Sequence, residues 1–228
     1  MRKIFTILAL AVIVASASCT SSKEEKGGRL ARVFDPKMLS ADLRHFEQVT
    51  GPAKITNART KIYSVEGSEI WVTVANGSVS AFRANLSPQC SFDLNKFIRA
   101  SSGKFPPLHT MTFGQFDALT GGEGQFMADC LTSCGNAADP VVYECWIGTR
   151  AAGCLEVMLE AVQVGEDVLA AAGIWRDTME KGEGENWVID TKFNCNRSKY
   201  DAIAHSAFKN IRVTGITIGY NIDRPHCY

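Results

Sequence analysis

Two turn dipeptides constrain this chain more than any other feature. In "KIYSVEGSEIWVTVANGSVSAFRANL", residues 61–86, Glu66-Gly67 and Asn76-Gly77 interrupt three apolar-rich runs. Both dipeptides suit two-residue hairpin loops, which need positive φ at both central positions. The segment therefore folds as a three-strand antiparallel meander, and the tips fix its register. An Asn76-Gly77 tip sets Val74 opposite Val79, Val72 opposite Ala81 and Trp71 opposite Phe82. A Glu66-Gly67 tip sets Tyr63 opposite Ile70 and Ile62 opposite Trp71. Because strand side chains alternate between faces, Tyr63, Ile70, Val72, Val74, Val79 and Ala81 share one face. Ile62, Trp71 and Phe82 then form a row across the other.

A helix precedes the meander. Ser40 is a candidate cap, Leu43, Phe46 and Val49 recur at three-residue spacing, and Gly51-Pro52 stops the run. This helix, the Gly51-Pro52 break, Tyr63 and "IWVTVANGSVSAF" resemble the SmpA/OmlA class of small outer-membrane assembly lipoproteins. They also resemble one half of a β-lactamase inhibitory protein. The resemblance covers about residues 38–87 and implies a protein-binding scaffold.

Past "SSGKFPPLHT" the pattern restarts. Phe113 to Leu119 forms a short helix stopped by Gly121-Gly122, followed by strand candidates at 141–147 and 154–164. A tip near Arg150 would set Cys145 opposite Cys154, close enough for a disulfide. "GEDVLAAAGIWRDTMEKGEG" reads as a helix with Leu169, Ala172, Trp175 and Met179 on one face. The end reads as a strand "NWVIDTKF", a helix from Ser198 to Lys209 and a strand "IRVTGITIGY". The expected fold is α+β, with short helices packed on antiparallel meanders, in two related halves plus a C-terminal α/β extension. The units are 38–100, a helix plus three strands, and 108–228, a second α+β unit with the extension.

The N-terminus supplies an address. Arg2 and Lys3 precede a run from Ile4 to Ala17 that is shorter than the ~20 apolar residues of a membrane span, and small residues follow. Residues 1–18 read as a signal peptide. Ala15-Ser16-Ala17-Ser18-Cys19 resembles the lipobox of bacterial lipoproteins, although Ser16 stands where leucine is usual. That resemblance makes Cys19 the lipidated first residue and 19–37 a flexible tether, since "TSSKEEKGG" buries nothing. Thr20 in place of aspartate implies the outer membrane. The alternative is ordinary cleavage, giving a soluble periplasmic or secreted protein.

Export governs the cysteines. Beyond Cys19 there are Cys90, Cys130, Cys134, Cys145, Cys154, Cys195 and Cys227, and an oxidising compartment would pair them. The disulfide candidates are Cys145 with Cys154, together with Cys130, Cys134, Cys195 and Cys227. The loop "DCLTSCGNAADP" has neither the Cys-x-x-Cys spacing of a redox site nor a second pair for zinc, and reads as a stapled turn. His205 and His226 lie far from it in sequence.

Lys and Arg total 24 against 24 Asp and Glu, with no basic block, so nucleic acid is not an expected partner. Hydrolase, zinc-protease and phosphate-loop motifs are absent, and no cofactor or metal site is expected. His45 reads as a helix-surface residue, and Glu156 and Glu160 as solvated acids. Ile62, Trp71 and Phe82 with neighbouring Arg83 are the residue types that anchor protein interfaces. The expectation is a lipid-anchored envelope protein, not an enzyme, that binds another envelope or secreted protein through a sheet face: an assembly factor, inhibitor or immunity-type protein. The alternatives are an envelope hydrolase whose site gathers distant Cys, His and acidic residues, and a structural lipoprotein.

Overall fold

The computed structural model describes residues 28–122, 124–135, 139–148, 154–195 and 199–227. Its fold is α+β, with one antiparallel sheet of eight strands. In chain order these are β1 (Ile55–Thr56), β2 (Thr60–Val65), β3 (Ser68–Ala75), β4 (Ser78–Asn85), β5 (Gln125–Ala128), β6 (Val141–Ile147), β7 (Glu156–Val162) and β8 (Gly215–Gly219). Their order across the sheet is β1-β2-β3-β4-β8-β7-β6-β5, so the last strand joins the two meanders. The helices are α1 (Arg29–Val33), α2 (Leu43–Thr50), α3 (Phe113–Thr120), α4 (Glu166–Glu183), α5 (Glu185–Ile189) and α6 (Asp201–Phe208). Among the described residues, no helix is long and apolar enough to cross a membrane.

The two meanders are introduced alike. α2 and α3 each have eight residues and end at a positive-φ glycine, Gly51 or Gly121. In each, the final threonine, Thr50 or Thr120, donates its hydroxyl one turn back, to Phe46 or Phe116 O. Asp42 caps α2, displacing the expected Ser40, and Thr112 with Gln115 forms a capping box on α3. A continuous apolar core lies between the helices and one face of the sheet. At its centre Trp175 of α4 meets the rings of Phe126, Phe193 and Phe208.

Several local expectations are corrected. Both turns have positive φ at each central residue, as expected. However, a bulge between Thr73 and Val74 shifts the β3–β4 register by one. Val74 still pairs Val79, but Thr73 pairs Ala81, Val72 pairs Phe82 and Trp71 pairs Arg83. A one-residue slip exchanges faces, so Phe82 enters the core at 1% exposure and Ala81 turns away from it. α4 buries Val168, Ala171, Ala172, Trp175 and Met179, leaving Leu169 exposed. "NWVIDTKF" is not a strand: α5 and a 3-10 turn (Lys192–Asn194) follow the break at Gly184. A short apolar run is ambiguous between the two periods. The tether does not extend to residue 37. Leu30, Val33, Phe34, Met38 and Leu39 are buried, and the Glu66 carboxylate accepts from Arg29 and Leu30 N–H at the start of α1.

Candidate functional site

The sheet face opposite the core begins with Ile62 paired to Trp71, as the turns dictate, and Trp71 paired to Arg83. All three are half-buried. The Arg83 guanidinium lies 4.8 Å from the Trp71 ring centroid, a cation–π distance. Its Nε and Nη2 donate to the Glu160 carboxylate at 2.6–2.9 Å, and the Thr217 hydroxyl donates to Glu160 Oε1. Glu160 is 1% exposed because it lies over Gly215, where a Cβ would press on its carboxylate. It is therefore a buried ion-pair partner rather than the solvated acid the sequence suggested. Glu156 likewise accepts from Arg224.

The rest of this face is roofed by the C-terminal segment. After β8, Ile222 packs against the small buried cluster of Met127, Cys145 and Met158, as Tyr143 does. Arg224 reaches Glu156 on β7, and His226 O accepts from Thr191 and Asn194. Cys227 closes the segment by a disulfide to Cys195. The same Asn194 side chain bonds both N–H and C=O of Ala128, covering the open edge of β5. This C-terminal strap seals β5–β7 and its Asp223 reaches Arg59 beside β2, while Ile62, Trp71 and Arg83 on β2–β4 stay half-exposed.

Cys130 and Cys134 form the second disulfide, as the stapled-turn reading expects. Cys145 and Cys154 do not pair. The ladder sets Cys145 against Met158, and Gly148 N–H bonds Leu155 O, so the connection is wider than a tight turn at Arg150. That tip lies outside the described residues, as does Cys19. Cys145 is buried on the strap side, its Sγ 3.8 Å from Met127 Sδ, and burial pushes its thiol up to about 12. Cys154 is exposed, whereas Cys90 is buried, which raises its thiol pKa.

A second constellation lies on the core side. Asp117 (α3), Glu144 (β6) and His205 (α6) converge, one possible ligand atom from each lying within 4.8 Å of the others. His205 Nδ1 is 2.8 Å from Asp117 Oδ2, and Nε2 is 2.9 Å from Gly124 O. Phe126 packs edge-on against the His205 ring, with centroids 4.9 Å apart. Glu144 is fully buried, and both its oxygens and Asp117 Oδ1 have no hydrogen-bond donor. Gly124 admits this carboxylate, since a Cβ there would overlap Glu144 Oε1.

Burial, then the charge of Asp117 and a proton shared with its carboxylate, then the charge of Asp201, hold the Glu144 carboxyl well above its usual range. Burial pushes His205 down, but the bonds to Asp117 and Gly124 O and the charges of Asp117 and Asp201 outweigh it, so His205 is raised. The trio can retain protons or hold a cation. The only sequence signal was one acid inside an apolar strand, "VVYECWI". His45 is exposed on α2, as expected. Comparison with protein-family models, curated proteins and solved structures gives no match.

Proposed function

We propose that this chain is an exported, lipid-anchored protein-binding module of a bacterial envelope, docking another envelope or secreted protein on the β2–β4 part of its open sheet face. One observation carries the reading. The chain covers half of this face with its own C-terminus and leaves the other half with a tryptophan beneath an arginine. Trp and Arg are enriched among interface anchors, and Arg83 is already fixed by Glu160, which lowers the ordering cost of binding. Two disulfides suit an oxidising compartment, and the leader with Cys19 supplies the anchor. The local resemblance to assembly lipoproteins and to an inhibitory-protein half-unit agrees with a binding scaffold. The hydrolase alternative needs a nucleophile beside His205, yet Cys145 faces the other side of β6.

Ile62→Ser and Trp71→Ala test the docking surface. Each should reduce recovery of a specific envelope partner while leaving the unfolding midpoint near that of the parent; unchanged recovery from both contradicts the proposal. Intact-mass measurement tests the anchor: acyl mass on Cys19 supports it, and a chain with its leader retained and cysteines reduced opposes it.

A further inference from the structure

We propose that Asp117, Glu144 and His205 form a binding site for one divalent transition-metal ion of the zinc class, held between α3, β6 and α6. The site is separate from the sheet face proposed for docking.

The imidazole is set for it. Gly124 O can only accept, so Nε2 carries a proton and donates to it. In neutral His205 this places the lone pair on Nδ1, directed at Asp117 Oδ2 2.8 Å away. A proton on Nδ1 or a metal ion must therefore lie between these two acceptors. A ligating histidine whose other N–H bonds a backbone carbonyl is a common way of fixing ring orientation in metal sites.

Glu144 is the second, independent observation. Its neighbours across the strands are Phe126 and Leu159, and neither carboxylate oxygen has a donor. An ionised carboxylate left this way in an apolar setting is strongly unfavourable, and a bound dication removes that penalty. Asp117, which shares a hydrogen bond with a protonated Glu144, and Asp201 both oppose ionisation of this carboxyl in the absence of a metal ion. Asp201 also accepts the Phe126 N–H, so it helps position the ring against His205.

The dimensions and donor chemistry fit. Ligand atoms on one zinc ion, each ~2.1 Å from it, lie at most ~4.2 Å apart. The three donors already lie within 4.8 Å, so binding draws the wider-spaced donors together and opens the 2.8 Å Nδ1–Oδ2 contact by roughly half an ångström. One imidazole and two carboxylates balance a dication and suit zinc or a neighbouring transition ion better than copper(I). Three protein ligands leave a fourth position for water. The His205 and Asp117 side chains retain 20% and 15% exposure, which gives an ion a way in. Without metal, protons on His205 and Glu144 meet the same need, so metal binding must expel them.

The test is calorimetric titration of zinc chloride into the untagged, chelator-stripped protein in a Cys154→Ser background, which removes the exposed thiol. Two buffers of different ionisation enthalpy report proton release. One ion per chain and release of about two protons are expected. Glu144→Gln and Asp117→Asn should each weaken binding by about 100-fold or more, with near-ultraviolet dichroism unchanged. In the protein with Glu144, Asp117 and His205 intact, zinc should also slow amide exchange in α3, β6 and α6. Absence of 1:1 binding, affinity in both variants equal to that of the parent, or unchanged exchange in these elements would overturn the site in favour of protons alone.

Discussion

Arg83 on β4 and Glu160 on β7, 77 residues apart, join through two guanidinium nitrogens across the intervening β8. The pair stitches the two meanders together where β8 separates them. Glu160 is almost completely buried, so truncating Arg83 leaves a carboxylate without its cation. Arg83→Ala is expected to cost about 3 kcal/mol, the low end of the range because the arginine side chain keeps 32% exposure. Arg83→Met with Glu160→Met should recover most of that loss. Urea unfolding of the two variants measures both quantities.

The strap depends on one covalent bond. Cys195–Cys227 closes a separation of 32 residues, against 4 for Cys130–Cys134. Loop-closure entropy assigns about 3–4 kcal/mol to the longer link and about 2 kcal/mol to the shorter. In Cys227→Ser, Ile222 should lift from Met127, Cys145 and Met158. Maleimide labelling at neutral pH should then modify Cys154 rapidly in both proteins, and Cys145 faster in the variant than in the parent.

Gly124 serves both halves of the buried trio. Its carbonyl accepts from His205, and its missing side chain leaves space for Glu144. Gly124→Ala should cost about 1–3 kcal/mol by overpacking. A lower thermal midpoint accompanied by a displaced His205 imidazole resonance is the expected signature.

The buried acid also has a signed pH dependence. Glu144 holds its proton more tightly folded than unfolded, so its contribution is fully present below its ordinary value of 4.5. That contribution is lost as pH rises towards the folded value. His205 behaves with the same sign, its contribution present below 6.5 and lost above it. Asp117, Asp201 and Gly124 O face the pair and retain these protons. In chelator, Glu144→Gln should gain stability over the parent steadily as pH rises from about 5 through neutrality. A constant difference across that interval would refute the assignment.

The turns made the first meander readable, because Glu66-Gly67 and Asn76-Gly77 specify both hairpins. They could not reveal the bulge at Thr73/Val74, where Ser80 is the extra residue and donates to Thr73 O. That single insertion sent Phe82 inward and brought Arg83 to Trp71. The α3 stop, β6 and the helical character of α4 followed from local pattern, whereas α5 was lost in a short run whose apolar residues fit either period. The buried trio was illegible for a different reason. Asp117, Glu144 and His205 are brought together only by packing α3 and α6 over β6, and no local periodicity encodes that meeting. Joining Cys195 to Cys227 likewise required knowing that the C-terminus returns across the sheet.

Site-specific photo-crosslinking in native cells most directly tests docking on the exposed half of the open face. A photoreactive residue at position 71 should give one discrete adduct with an envelope or secreted protein, lost when Ile62 is changed to Ser. A probe at position 158, beneath the strap, should give none. No adduct at 71, or the same adduct at both positions, would contradict docking on β2–β4.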